Sequence, residues 1–80
     1  MKLPRSLSGA ELVKALRRLG YEVSRRTGSH IRLTLQAPKQ HHLTIPNHDP
    51  IKIGTLAAII ADVSMRLDIS REELIRKLFG

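Results

Sequence analysis

Four histidines, His30, His41, His42 and His48, are the side chains of this chain best suited to move a proton near neutral pH. An imidazole's ordinary pKa, about 6.5, lies close to working pH. The spacing argues against a metal site. His41 and His42 are neighbours, so on a strand they point to opposite faces, and His48 follows Pro46-Asn47 in a loop. Zinc takes about four ligands in fixed geometry, and no helix-borne HxxxH or HExxH spacing occurs. No metal and no cofactor is expected. The chain has no cysteine, which excludes thiol catalysis and disulfides. It holds no GxGxxG or Walker-type loop and no recognisable Ser-His-Asp constellation. The Gly28-Ser29 pair before His30 could receive a phosphate on backbone N–H groups.

Those histidines need a scaffold, and 80 residues make one domain, residues 1–80, with a single core. Ser8-Gly9-Ala10-Glu11 reads as a capping box. Leu12, Val13, Leu16 and Leu19 then recur at helical spacing until Gly20 closes the helix. Tyr21 to Arg26 alternates as a strand, Thr27-Gly28-Ser29 is a turn, and His30 to Gln36 alternates again. Pro38 ends that run within Ala37–Gln40. His41 to Ile45 is a third strand stopped by Pro46. Ile53 to Val63 reads as a buried helix through Leu56, Ile59, Ile60 and Val63. Ser70-Arg71-Glu72-Glu73 reads as another capping box, opening a final helix with Leu74, Ile75 and Leu78. The expected order is α-β-β-β-α-α, an α+β fold whose three-stranded antiparallel sheet carries helices on one face only.

Alternation then assigns the two faces. Tyr21, Val23, Ile31, Leu33, Leu35, Leu43 and Ile45 should lie under the helices. Glu22, Ser24, Arg26, His30, Arg32, Thr34, His42 and Thr44 should form an open polar face, with Arg25 and Lys52 close by. A polar outer face is also what any half-exposed sheet has.

The charge narrows the choice. Fourteen Lys and Arg against seven Asp and Glu leave a net +7. Residues 1–48 hold nine basic residues against two acids, a balance of +7, whereas residues 49–80 hold five of each. A field concentrated on one part of a small domain attracts a polyanion, so nucleic acid or an acidic protein is the expected partner. No apolar run approaches the ~18 residues of a membrane span, and Met1-Lys2-Leu3-Pro4 leads into no signal-peptide apolar region. A soluble cytoplasmic protein is the expectation, with no membrane partner and no small-molecule cofactor.

Ser8-Gly9 with Glu11-Leu12, Gly20-Tyr21, Thr27-Gly28-Ser29-His30, Thr44-Ile45-Pro46-Asn47-His48 and Gly54-Thr55-Leu56 with Ile59 occur in an order and spacing that resembles the HicA toxins of bacterial toxin–antitoxin pairs. The likeness runs over nearly the whole chain. It implies a double-stranded-RNA-binding-domain-like fold, ribonuclease action on mRNA as part of a stress response, and inhibition by a HicB-type antitoxin protein. The family's active histidine maps onto His30. Where the family often has an aromatic residue shortly after that histidine, this chain has Ile31-Arg32-Leu33.

The resemblance implies a particular chemistry. A neutral imidazole at His30 would take the proton of an RNA 2′-hydroxyl, whose oxygen then attacks the adjacent phosphorus without metal. Arg26, Arg32 or Lys52 would stabilise the more negative phosphorane. His48, His42 or water would protonate the leaving oxygen. Gly28, Ser29, Arg25, Arg26, Arg32, Lys52 and His48 are the expected RNA-binding set. Tyr21 and Phe79 are the only Phe, Tyr or Trp residues and belong to the expected core, so no stacking platform for bases is expected. Two other readings compete with this one. In the first, a non-catalytic RNA-binding module uses His30 only to touch phosphate or sugar. In the second, a protein-interaction module uses its basic patch for an acidic partner.

Overall fold

The structure is a computed structural model, and it describes residues 3–37 and 39–80. Pro38, expected to end the second strand, lies outside the described residues. The elements run α1 (Gly9–Arg17), β1 (Glu22–Thr27), β2 (His30–Leu35), β3 (His41–Pro46), α2 (Ile53–Leu67) and α3 (Arg71–Phe79). The order is α-β-β-β-α-α, and the three strands form one antiparallel sheet in the order β1-β2-β3. The fold is α+β, as the alternation and helical periodicity predict.

Helix α1 begins where its side chains satisfy the free N–H groups. Ser8 Oγ accepts from the Glu11 amide at 3.1 Å, and Glu11 Oε1 accepts from the Ser8 amide at 2.9 Å. Hydrogen bonding to the carboxylate, from the Ser8 amide first and the Ser8 hydroxyl second, holds the Glu11 carboxyl below its ordinary range. Gly9 is set by crowding, because a methyl group there would run into the Pro46 carbonyl oxygen. The close approach is tied by the Gly9 amide donating to the His48 carbonyl at 2.8 Å. Beyond α1, Gly20 adopts φ 104°, a left-handed conformation open to glycine. The chain then turns into β1.

Three differences from the expected elements have local causes. Helix α2 runs four residues past Val63, to Leu67, and stops where Asp68 enters the left-handed region at φ 57°. Pro46 is the last residue of β3 rather than its stop, tolerated because β3 is an edge strand. At Ser70 the hydroxyl caps the Glu73 amide at 3.0 Å, while the reciprocal half of the expected capping box is not formed among the described residues.

The core gathers Leu12 and Leu16 of α1, Ile31 and Leu33 of β2, Leu43 and Ile45 of β3, Leu56, Ile60 and Val63 of α2, and Leu74 and Leu78 of α3. Tyr21, just ahead of β1, is buried with them. Helix α3 packs on both α2 and α1. Burying side chains of this size contributes about 1.5–3 kcal/mol each before the entropy of ordering is subtracted. All three helices thus lie to one side of the sheet, and the other side is open.

Candidate functional site on the open face of the sheet

Strand pairing decides which side chains share the open face. His30 stands opposite Thr27 on β1 and Pro46 on β3; Arg32 stands opposite Arg25 and Thr44; Thr34 stands opposite Glu22 and His42. Between Val23 and Arg25 the register slips by one residue. This β-bulge places one extra residue against β2 and reverses the alternation of everything that follows it on β1. The expected face assignment for Arg26 is therefore corrected. Arg26 pairs with Ile31, whose side chain is in the core, so it belongs to the other side of the sheet. Arg25 and Thr27 take its place on the open side.

The result is an open concavity of about 360 Å³ lined by Arg25, Thr27, His30, Arg32 and Thr44. His30 is exposed as the first residue of β2, after the Gly28-Ser29 turn. Its Nδ1 is within hydrogen-bond distance of Ser29 Oγ, at 3.2 Å. If Nδ1 carries the proton and donates to Ser29, Nε2 is left with its lone pair. The turn is braced from outside by the Asn47 amide, which donates to the Ser29 carbonyl at 2.8 Å. Gly28 has open space where a side chain would be, and its backbone is not in the left-handed region. Nothing in the packing requires glycine there, so its effect is to leave the turn's backbone accessible.

Of the residues expected to bind RNA, Arg25 and Arg32 come together beside the expected catalytic His30, which Gly28 and Ser29 directly precede in the chain. Lys52 is the exposed N-cap of α2 and His48 an exposed residue of the loop after β3; neither lines the concavity. His42 is displaced as well. It pairs with Thr34, four residues along β2 from His30, a separation of roughly 13 Å at strand rise. It does not line the concavity with His30, and its Nδ1 is tied to Thr34 Oγ1.

Two side-chain chains were not foreseen. On the open face, Ser24 Oγ donates to the Arg32 carbonyl at 3.3 Å and accepts from Thr34 Oγ1 at 2.9 Å; Thr34 Oγ1 meets His42 Nδ1 at 2.9 Å. Under the helices, the Tyr21 hydroxyl meets His41 Nδ1 at 2.7 Å, and His41 Nε2 meets Asp62 Oδ2 at 3.2 Å. His41 is 5% exposed and Asp62 47%. Burial and then the Asp62 carboxylate push the Tyr21 hydroxyl up to about 12, with Arg66 opposing. A signal for the second chain was present: His41 falls in the same alternation as Leu43 and Ile45, so it occupies a core position that needs polar partners. Among the described residues no buried side-chain nitrogen or oxygen lacks a hydrogen bond.

A family model described as the HicA toxin of bacterial toxin–antitoxin systems matches residues 9–65, more than half of the chain. No curated protein and no solved structure matches significantly. The matched span includes the Gly28-Ser29-His30 turn and every residue lining the concavity. Among the described residues no helix is long and apolar enough to cross a membrane.

Proposed function

Because the chain belongs to the HicA toxin family of bacterial toxin–antitoxin systems, we propose that it is an endoribonuclease, an mRNA interferase, with His30 as its general base. The observation that carries this reading is the exposed His30 ring in a concavity with Arg25 and Arg32, its Nδ1 beside Ser29 Oγ. Nδ1–H donates to Ser29, so Nε2 faces the substrate as a base. It takes the proton of a ribose 2′-hydroxyl as the 2′-oxygen attacks the adjacent phosphorus. The bond from phosphorus to the 5′-oxygen breaks, leaving a 2′,3′-cyclic phosphate and a 5′-hydroxyl. Water, which the open face admits, protonates the leaving oxygen. DNA has no 2′-hydroxyl and is not cut by this route.

Arg25 and Arg32 stand where negative charge grows on the phosphorane and stabilise it electrostatically. The Gly28-Ser29 turn lets backbone N–H groups approach the phosphate. With Tyr21 buried and the open face carrying no Phe, Tyr or Trp, bases have no platform to stack on. Affinity therefore comes from backbone contacts, with weak sequence preference and strong salt dependence. The protein acts in the cytoplasm, where mRNA is found. A HicB-type antitoxin neutralises it by covering this face and presenting carboxylates to Arg25 and Arg32.

The test is His30→Ala. The variant should stay folded by circular dichroism and retain RNA binding. Its cleavage of labelled RNA should fall by the ~10²–10⁴-fold that general acid–base catalysis contributes, and it should no longer arrest growth. Full cleavage by that variant would overturn the assignment. Binding without cleavage by the wild-type protein would support the non-catalytic RNA-binding reading instead.

A further inference from the structure

The Ser24–Thr34–His42 chain has a direction that its geometry imposes. It ends on the Arg32 carbonyl oxygen, which can only accept. Ser24 has one proton and donates it to that carbonyl, so the bond between Ser24 and Thr34 must be donated by Thr34. Thr34 has then used its own proton, and the bond to His42 must be donated by Nδ1–H. In the neutral ring this leaves Nε2 with its lone pair, on an exposed residue of the open face. In a neutral histidine that is free in water either ring nitrogen can carry the proton. Here three residues from all three strands select one tautomer, and it is the one that presents an acceptor.

Resting on the reading of the concavity as an RNA site, we propose that His42 Nε2 accepts a hydrogen bond from a ribose 2′-hydroxyl of the same RNA strand, away from the scissile phosphate. Three observations support this choice of ligand. First, β2 supplies a continuous open-face row of His30, Arg32 and Thr34, so a strand held at His30 and Arg32 passes His42 next. Second, the roughly 13 Å from His30, four residues at strand rise, puts His42 against a neighbouring nucleotide rather than the reacting one. Third, Glu22 is the partner of Thr34 on the other side. A carboxylate there disfavours a phosphate and favours a neutral donor. The 2′-hydroxyl is the group on an RNA backbone that donates a hydrogen bond without charge, and it is what separates RNA from DNA. The site would therefore bias binding towards RNA before any chemistry occurs.

The experiment uses the His30→Ala protein, so that the oligonucleotide stays whole. A short labelled single-stranded RNA and the DNA of equivalent sequence are titrated at equal salt and read by fluorescence anisotropy. Adding His42→Phe, which keeps the ring and removes both nitrogens, should weaken RNA binding by about three- to tenfold, the worth of one hydrogen bond. DNA binding should be unchanged. Thr34→Val keeps the shape but breaks the chain, and should shift RNA binding in the same direction. Equal weakening on RNA and DNA, or no change on RNA, would overturn the proposal. A protein whose RNA affinity depends on His42 but which cuts nothing would overturn the catalytic reading alone. One that cuts RNA while its RNA affinity ignores His42 would overturn this inference alone.

Discussion

Arg25→Ala and Arg26→Ala remove the same charge from adjacent positions, so any effect through net charge on RNA encounter is the same for both. They differ in face. Arg25 stands opposite Arg32 and lines the concavity with His30, whereas Arg26 stands opposite buried Ile31. At roughly 6 Å from the reacting phosphate and an effective dielectric of ~40 for a half-open site, one added negative charge interacts with Arg25 by about 1.4 kcal/mol. That amounts to about tenfold in rate. Arg26 projects from the other side of the sheet, roughly 12 Å away through solvent. In water the same interaction is about 0.3 kcal/mol before screening, and salt with a Debye length of about 8 Å reduces it to less than 0.1 kcal/mol. Single-turnover cleavage of labelled RNA at physiological salt should therefore slow about tenfold for Arg25→Ala and stay near wild type for Arg26→Ala. Measured at saturating protein, the rates are free of encounter effects. Equal losses, or a larger loss for Arg26→Ala, would refute the bulge-shifted site and restore simple alternation along β1.

The Tyr21–His41–Asp62 chain gives a prediction about alkaline stability. The folded state holds the Tyr21 proton up to about 12 against an ordinary value of 10. Its contribution, on the order of 2 kcal/mol, is complete below pH 10 and is lost as pH rises towards 12. Thermal melts across that range should show the loss in the wild type and a smaller one in Tyr21→Phe; identical slopes would sink the assignment. The glycines predict opposite outcomes. Gly9→Ala forces a methyl group against the Pro46 carbonyl and should cost about 1–3 kcal/mol, or about 4–8 °C of melting temperature per kcal/mol for a domain this small. Gly28→Ala meets open space, so its melting temperature should hold while RNA cleavage falls.

Much of the fold was legible because local rules agree with the final packing. The Ser8–Glu11 box, the helical spacing of Leu12 and Leu16, and the alternation of Ile31, Leu33 and Leu35 each depend on residues close in the chain. The same period placed His41 and His42 on opposite faces, and the structure agrees: one is buried and the other exposed. Other features escaped because their partners are distant. Nothing near His41 in sequence announces Asp62, 21 residues on. Thr34 was placed on the open face correctly, yet it is only 7% exposed, covered by the side chains it bonds.

The position of His30, at the start of a strand and just after its turn, was legible in the sequence alone. The Gly28-Ser29 pair, the strand that starts at residue 30 and the order of motifs around it are local features, and the family match covers them. The identity of its cationic neighbour was decided only by tertiary structure. Strand period says which side chains alternate, but a bulge is a property of two strands in register, and only the pairing of Val23 with Leu33 and of Arg25 with Arg32 reveals it. One extra residue between those pairs exchanges Arg26 for Arg25 beside the histidine.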